Sequence, residues 1–204
     1  MKLQPTVFLI DDDPAIRDLL TLFLVRAGLT VESYASARLF LEAYNPDQPG
    51  CLVLDVSMPD MSGLELQEAL SAKQIHIPII FITGHGDIPM SVRAIKAGAV
   101  DFLEKPFKKE ILLARVREAL IEDAKTRQGD AEKATIRTRF ARLTPREQEV
   151  MALVITGKSN KEIAKQLAIS HRTVETHRAR IMEKMATKSL PELITLASAL
   201  KLRT

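Results

Sequence analysis

The sequence has little of what secreted and membrane-spanning proteins rely on. Cys51 is its only cysteine, so no disulfide can form within the chain and nothing indicates an oxidising compartment. No apolar run reaches the length of about 18 residues that indicates a transmembrane helix, and the first residues lack the apolar stretch of a secretory signal. These absences argue against a disulfide scaffold and a membrane partner, and they predict a cytoplasmic protein.

Internal repeats and low-complexity tracts are also missing. The 204 residues, 46% of them hydrophobic, suffice for one large or two small packed domains. Residues 1–120 carry 12 Lys and Arg against 16 Asp and Glu, whereas residues 121–204 carry 17 against 10. An acidic first part followed by a basic second part indicates two functions, and a polyanion is the expected partner of the second.

Short apolar runs alternate with helical patterns through residues 1–121. Strands are predicted at 7–10, 30–34, 51–54, 78–82 and 100–103. Helices are predicted from Pro14 to the residues before Gly28, and at 37–44, 64–72, 88–97 and 109–121. Five strands that alternate with five helices predict an α/β doubly wound domain over residues 1–121, with a five-stranded parallel sheet covered on both faces.

The rest of the chain lacks strand patterns. Residues 122–141 are polar and contain Gly129, which predicts a linker that can be partly helical. Residues 142–204 carry only helical patterns, and Thr144 with Glu147 has the spacing of a capping box before the first of them. Helices are predicted there from Pro145 onward, at 160–167, at 171–185 and at 191–200. The second domain, 142–204, is therefore predicted to be all-α with four helices.

Acidic side chains follow two of the predicted strands. Asp11 and Asp12 come directly after the first strand, and Asp55 follows the third. Functional groups of open α/β sheets gather at the carboxyl ends of the strands, so these carboxylates are expected in one crevice. Close carboxylates repel each other unless a cation neutralises them, and a small cluster of hard oxygen ligands suits Mg²⁺. A magnesium site is predicted here.

Two further strand ends supply the other groups that phosphoryl transfer to a carboxylate requires. Thr83 after the fourth strand offers a hydroxyl donor, and Lys105 after the fifth offers a positive charge for phosphate oxygens. Asp55 is the candidate nucleophile. Taken singly, a strand-end Asp is commonly a cap and a Lys is commonly solvated. Their placement on several strand ends together favours the phosphoryl site.

A phosphatase is the alternative interpretation of the first acidic run. Asp11-Asp12-Asp13 contains the Asp-x-Asp pattern of haloacid-dehalogenase-like phosphatases. Those enzymes usually carry Thr or Val two residues after the second Asp, where this chain has Ala15. They also give no role to the Met-Pro-Asp-x-Ser-Gly context around Asp55. The sequence therefore favours a protein that is not an enzyme.

Residues 5–121 resemble the receiver domain of bacterial response regulators. The matching motifs are Asp11-Asp12, the segment from Leu54 to Gly63, Ile82-Thr83-Gly84-His85 and Lys105-Pro106-Phe107. The resemblance implies a flavodoxin-like fold in which Asp55 accepts a phosphoryl group from a sensor histidine kinase. It implies that Asp12, Asp55 and the Ser57 carbonyl bind Mg²⁺ directly and that Asp11 acts through water. It also implies that Thr83 and Lys105 contact the phosphoryl group.

The same resemblance extends to the switch and the pocket mouth. It implies a cis peptide between Lys105 and Pro106. Thr83 and an aromatic side chain on the fifth strand are expected to form the switch, and this chain carries Phe102 there instead of Tyr. Ser57 and His85 are expected to tune the lifetime of the acyl phosphate.

The third helical pattern of the second domain has two distinct faces. Its apolar face consists of Val174, His177, Ile181 and Met185, and its opposite face of Arg172, Glu175, Thr176, Ala179 and Arg180. A helix in the major groove needs short or hydrogen-bonding side chains toward base edges and cations near phosphates. The pattern predicts a helix-turn-helix that binds double-stranded DNA. A helical docking domain that binds another protein is the alternative.

Residues 140–201 resemble the LuxR-type DNA-binding domain. The matching motifs are residues 143–150, the Ser-Asn-Lys-Glu-Ile-Ala segment at 159–164, and residues 173–178. Joined to a receiver, this domain resembles the NarL/FixJ-type regulators. The whole chain, including the loop from Gly84 to Asp87, is most similar to the FixJ subgroup.

Roles in DNA binding follow from that resemblance. Residues 160–167 form the scaffold helix and 171–184 the recognition helix. The implied base-facing positions are Glu175, Thr176 and Ala179, and the implied phosphate contacts are Lys161, Arg172, Arg178, Arg180 and Lys184. Phosphorylation is expected to drive homodimerisation or to release the DNA-binding domain. RNA polymerase is a further expected partner, and transcriptional activation is the expected outcome.

Overall fold

The computed structural model describes residues 3–84 and 88–200, and of Ile88 only the backbone. The chain forms two compact units that divide between Arg127 and Gln128. The first unit contains all the strands described, and the helices of the second follow it along the chain.

The first unit is built on a five-stranded parallel sheet. Its strands are β1 (Thr6–Ile10), β2 (Thr30–Tyr34), β3 (Gly50–Asp55), β4 (Ile79–Thr83) and β5 (Asp101–Glu104), in the order β2-β1-β3-β4-β5. The helices between them are α1 (Pro14–Arg26), α2 (Ala37–Ala43), α3 (Gly63–Ala72) and α4 (Ile88–Lys96). The strand order places β1 beside β3, which is the switch point of a flavodoxin-like sheet. The predicted doubly wound fold is confirmed.

Alternation along the central strands explains why both faces of the sheet are covered. Phe8 and Leu54 point into one buried cluster, which also contains Phe40 and Leu66 from the helices. Val7, Leu9 and Val53 point into the other, with Leu24 of α1 and Leu112. Strands buried on both sides read as continuous apolar runs because neither face can be polar. Cys51 belongs to the second cluster, and burial raises the pKa of its thiol to about 12.

Helix α5 (Lys109–Ala141) is much longer than the helix predicted for residues 109–121. The residues assigned to a linker, 122–141, are helical throughout, and the division between the two units falls inside this helix. Asp123 is buried, accepts the Gly50 N–H at 2.9 Å and pairs with Arg127.

Among the described helices, α5 included, none is both long and apolar enough to cross a lipid bilayer.

The second unit contains the end of α5 and the helices α6 (Pro145–Ile155), α7 (Asn160–Leu167), α8 (His171–Met185) and α9 (Leu190–Ala199). Ile136 of α5 packs with Val150, Val174 and Leu193 in a single apolar cluster. Thr144 caps α6 in the predicted capping box with Glu147, and Ser159 and Ser170 cap the next two helices. The predicted four-helix domain is confirmed, with part of α5 added to its core.

Candidate functional site

The predicted strand-end residues meet at the carboxyl edge of the sheet. Asp11 follows β1 and Asp55 ends β3, and because these strands are neighbours the two carboxylates lie in one crevice. Asp11 is 1% and Asp55 is 5% exposed. The Lys105 ammonium, just beyond β5, reaches between them. Its Nζ lies 2.8 Å from Asp11 Oδ2 and 2.7 Å from Asp55 Oδ1.

Backbone donors hold the other oxygen of each carboxylate. Asp11 Oδ1 accepts the Asp13 N–H at 2.9 Å, and Asp55 Oδ2 accepts the Ser57 N–H at 2.7 Å. Each of the four carboxylate oxygens therefore has a donor, which fixes both side chains before any substrate arrives. Asp13 also caps α1 by accepting from Ala15 N, so the acidic run serves both as a helix cap and as part of the crevice.

The charges in the crevice depend on each other. Burial raises the pKa of Asp11, and although the hydrogen bond and charge of Lys105 oppose this, the pKa stays above its usual range. For Lys105, burial lowers the pKa, but the hydrogen bonds and charges of Asp11 and Asp55 outweigh burial and raise it. Lys105 is therefore an ammonium at neutral pH.

The remaining predicted residues of the crevice lie around this ion group. Thr83 is fully buried at the end of β4, and its backbone carbonyl accepts the Lys105 N–H at 2.7 Å. Asp12 and Ser57 are exposed at the rim. The Lys105–Pro106 peptide is cis, as the resemblance implied. His85 lies outside the described residues.

Phe102 lies beside this edge on β5, opposite Phe81 in the parallel register. The Phe102 ring is partly buried, and its centroid is 6.2 Å from that of Phe81. The Phe102 ring therefore lies at the border between the core and the surface.

The donor set suits a magnesium ion. The carboxylates of Asp11 and Asp55 share the crevice with the ammonium of Lys105, and Asp12 is exposed next to Asp11 at the rim. Within residues 3–84 and 88–200, no three His, Cys, Asp or Glu side chains are close enough to hold a metal by themselves. Mg²⁺ does not require such a group, because it binds through one or two carboxylates and keeps several waters.

Two residues that shape the crevice were not among the predicted site residues. The Arg17 guanidinium donates to the Asp11 carbonyl at 2.7 Å, which ties the first turn of α1 to the end of β1. Gly63 begins α3 directly against β3, and a Cβ atom there would lie 2.4 Å from the Asp55 carbonyl oxygen. Only Gly63 had a sequence signal, since it closes the receiver motif, and a glycine next to a strand end can mark a close backbone approach.

Gly63→Ala is therefore expected to disturb the crevice by displacing the backbone of Asp55. The added methyl group also meets Leu54 and Phe81 at 3.1 Å, so β3 or α3 must shift. We expect a loss of about 2 kcal/mol in the free energy of unfolding, as for other overpacked sites. Urea titration measures the loss. The matched control is Gly129→Ala, where no described atom outside the adjacent residues and the backbone of its own helix lies within 4 Å of the added Cβ, and equal stability of the Gly63 variant and wild type would contradict the expectation.

The second unit presents a helix-turn-helix. Helix α7 ends at Leu167 and is followed by Ala168, which has a left-handed backbone (φ 52°), and α8 begins after Ser170. Val174, Ile181 and Met185 of α8 are buried as predicted. The exposed face of α8 carries the five residues predicted for it, Arg172, Glu175, Thr176, Ala179 and Arg180. Lys161 of α7 is exposed as well.

Three residues of α8 are more enclosed than an open DNA-facing surface requires. Lys184 turns into the domain, and its Nζ lies 2.6 Å from Oε2 of the buried Glu147. Arg178 is half-buried and lines a small groove with apolar residues of α6, α8 and α9. His177 is also half-buried, and its Nδ1 has no hydrogen-bond partner among the described residues.

Comparison with known proteins identifies both units. The response regulator receiver domain family matches residues 7–117, and the luxR family of bacterial regulatory proteins matches residues 141–197. Nodulation protein W of Bradyrhizobium diazoefficiens is 47% identical over 194 residues, which are 95% of this chain and 86% of that protein. Transcriptional regulatory protein FixJ of Azorhizobium caulinodans is 45% identical over 191 residues, 94% of this chain and 90% of that protein.

A solved structure gives the same result. The structure of response regulator StyR superposes with a TM-score of 0.87 at 48% identity, and the match covers 96% of this chain and 98% of that one. FixJ and StyR are named as regulators and not as enzymes. With the two matched domains in this order and relatives similar over almost the whole length, the chain belongs to the NarL/FixJ-type response regulators of two-component systems, a receiver domain followed by a LuxR-type DNA-binding domain.

Proposed function

We propose that this regulator is switched by phosphorylation of Asp55 and that the phosphorylated form dimerises, binds specific DNA and activates transcription. The observation that carries the proposal is the position of Lys105, whose ammonium bridges the buried carboxylates of Asp55 and Asp11. A buried carboxylate beside a fixed cation is what an acyl phosphate requires, since the new phosphoryl oxygens need a counter-charge at the moment they arrive.

The proposed step is an attack by an Asp55 carboxylate oxygen on the phosphorus of a kinase phosphohistidine. The P–O bond to Asp55 forms as the P–N bond breaks, and the bond pair leaves with the imidazole, which returns to its neutral form on protonation. Asp55 Oδ1 and Oδ2 already accept hydrogen bonds from Lys105 and Ser57. Attack by Oδ1 would bring the phosphoryl group next to the Lys105 ammonium, which can then donate to a phosphoryl oxygen.

Mg²⁺ is the proposed cofactor of this site. Asp12, Asp55 and the Ser57 carbonyl are the proposed direct ligands, with Asp11 acting through water. A bound divalent cation supplies charge that neutralises the carboxylates and the phosphoryl oxygens. Asp12 is exposed at the rim, which leaves its carboxylate accessible for this role.

The proposed switch starts at Thr83 and Phe102. Thr83 ends β4 next to Lys105, so its hydroxyl is the proposed donor to the phosphoryl group, and its movement would alter the space beside Phe102. The tilted contact between Phe102 and Phe81 supports this pairing, because the two rings share one register position of neighbouring strands. The proposed partners along this route are a sensor histidine kinase, a second copy of the chain and RNA polymerase.

The proposed DNA interface is the exposed face of α8. Glu175, Thr176 and Ala179 are the proposed base-facing positions, and the cations proposed for phosphate contact are Lys161, Arg172, Arg178 and Arg180. Exposure of Arg172 and Arg180 on either side of the base-facing residues supports this assignment. Glu175 Oε1 lies 3.5 Å from His171 Nδ1, and the Thr176 hydroxyl donates to the Arg172 carbonyl.

A selection experiment tests the proposal as a whole. The full chain is incubated with a randomised pool of DNA duplexes, with and without beryllofluoride and Mg²⁺, and its oligomeric state is followed by gel filtration. The expected result is dimer formation and enrichment of one duplex sequence, both dependent on beryllofluoride. Absence of binding to any duplex at low salt, with or without beryllofluoride, would leave the helical unit as a protein-docking domain.

Arg180→Ala is expected to weaken binding to the enriched duplex by about tenfold, the usual contribution of one hydrogen bond to a charged group. The slope of log affinity against log salt should fall by about 0.9, because one fewer counterion is released. Fluorescence anisotropy at several salt concentrations measures both. Arg117→Ala, which removes an exposed cation from the receiver part of α5, serves as the control and should change neither.

A further inference from the structure

The first turn of α6 contacts the last turn of both helices of the helix-turn-helix. Arg146 Nη2 donates to the carbonyl of Leu167, the final residue of α7, at 2.7 Å. The adjacent residue, Glu147, accepts from Lys184 in the last turn of α8, with 2.6 Å between Oε2 and Nζ. Two consecutive side chains of one helix therefore hold the ends of the other two.

The position of the Glu147 side chain is set by the capping box of α6 as well as by Lys184. The Glu147 carboxylate is 2% exposed and accepts the Thr144 N–H at 2.8 Å in the capping box of α6. Burial alone would raise the pKa of Glu147, but the Lys184 hydrogen bond, the Thr144 N–H and the Lys184 charge together lower it. Glu147 is thus a carboxylate at neutral pH, and the Lys184 side chain is its cationic partner.

Arg146 provides a hydrogen-bond donor for the last turn of α7. The last carbonyls of a helix have no partner within the helix, and the chain turns away at Ala168 in the left-handed region. The Arg146 guanidinium supplies a donor to Leu167, while its other end pairs with Glu149 on α6 at 2.6 Å. The turn that separates the scaffold helix from the recognition helix is therefore held from outside by α6.

We propose that Arg146, Glu147 and Lys184 form a brace that sets the angle between α7 and α8, and that Lys184 serves DNA binding as a positioning residue and not as a phosphate ligand. The inference rests on the proposed function of α8 as the DNA-reading helix. It replaces the phosphate contact expected for Lys184, because the Lys184 ammonium is already bound to a buried carboxylate within the domain.

The salt dependence of DNA binding separates the two roles. Lys184→Met removes the ammonium and keeps most of the side-chain length. We expect the ratio of affinities for the enriched duplex and for a random-sequence duplex to fall by about tenfold, comparable to one mismatched base pair. The salt slope should stay that of wild type, whereas loss of a phosphate contact lowers it by about 0.9. Arg180→Met, on the exposed face of the same helix, is the matched control and should lower the slope.

A double variant separates positioning from simple loss of stability. Lys184→Met alone leaves the Glu147 carboxylate buried without a partner, whereas Glu147→Gln with Lys184→Met leaves no unpaired charge and keeps a residue suited to the capping box. The double variant should regain the thermal stability that Lys184→Met loses, measured by circular dichroism, but not the affinity ratio. If Lys184→Met does not fold, the ratio and slope of the double variant decide the question.

The outcomes are distinct from failure of the proposed function. If wild type enriches no duplex, the proposed DNA binding is wrong, and the role proposed for the brace is rejected with it. If wild type binds, a fall of the slope by about 0.9 in Lys184→Met makes Lys184 a phosphate ligand and overturns the brace. An unchanged affinity ratio in the folded double variant overturns it as well.

Discussion

Replacing Asp55 with asparagine is expected to abolish phosphoryl incorporation into the full chain. The side-chain amide of the new residue cannot act as a nucleophile toward phosphorus, and Asp11, the other buried carboxylate of the crevice, is held by Lys105 and the Asp13 N–H. Dimerisation and specific DNA binding should then no longer respond to a phosphodonor. Incubation with acetyl phosphate and Mg²⁺ followed by intact-protein mass spectrometry measures the incorporation, which should fall below detection.

Asp60→Asn is the matched control, because Asp60 is exposed and lies in the same loop after β3. Its left-handed backbone (φ 64°) is one that asparagine tolerates well, so incorporation should equal that of wild type. Transfer of the phosphoryl group to another residue in the Asp55 variant would refute the assignment of Asp55. Steady turnover of a phosphate ester that survives the loss of Asp55 would instead support the phosphatase interpretation of Asp11 and Asp12.

The crevice could be predicted from the sequence because one rule of sheet geometry is enough to bring its residues together. Asp11, Asp55 and Lys105 each follow an apolar run, and the carboxyl ends of parallel strands share one edge. The observed distances of 2.8 Å and 2.7 Å from the Lys105 ammonium confirm that Asp11 and Asp55 converge on it. No strand bound differs from the predicted one by more than one residue, since apolar runs and turn residues mark the strands clearly.

The length of α5 could not be predicted by the same reasoning. Residues 122–141 have few apolar side chains, and the contacts that hold the start of this segment come from residues 73 to 81 positions away in the chain. Asp123 accepts the Gly50 N–H, and Arg127 donates to the carbonyls of Pro46 and Gln48. The local signs of helix were side-chain pairs three or four residues apart, such as Asp123 with Arg127 and Asp130 with Lys133.

Lys184 illustrates a similar limit within the DNA-binding domain. Its position on a basic helix made a phosphate contact the natural expectation, because helical periodicity shows only which side of a helix a residue occupies. The carboxylate that binds the Lys184 ammonium belongs to α6, 37 residues earlier in the chain. A charged residue in a first helical turn, such as Glu147, is usually explained by capping alone, so its second role had no separate signal in the sequence.

Lys105→Met is expected to destabilise the receiver as well as to slow phosphorylation. Without the ammonium, the buried carboxylates of Asp11 and Asp55 face each other with one hydrogen-bond donor each. The free energy of unfolding at pH 7 in EDTA should fall by about 3 kcal/mol, the cost of leaving a buried charge without its partner. Lys108→Met, which removes an exposed cation three residues away, should have almost no effect on the free energy of unfolding.

The pH dependence of the Lys105 variant identifies the cause of this loss. The pKa of Asp11 is already raised in the folded protein, and loss of Lys105 should raise it further. A carboxyl with a raised folded-state pKa binds its proton more tightly in the folded than in the unfolded state, so its effect on stability becomes more favourable as the pH falls toward that pKa. The difference in unfolding free energy between Lys105→Met and wild type should therefore shrink as the pH is lowered from 7 toward 5, measured by urea titration at each pH.

Addition of Mg²⁺ at pH 7 should also restore part of the lost unfolding free energy, because a cation that binds only the folded crevice stabilises it. A difference that stays constant with pH and is insensitive to Mg²⁺ would mean that Lys105 stabilises the fold through packing of its alkyl chain and not through its charge.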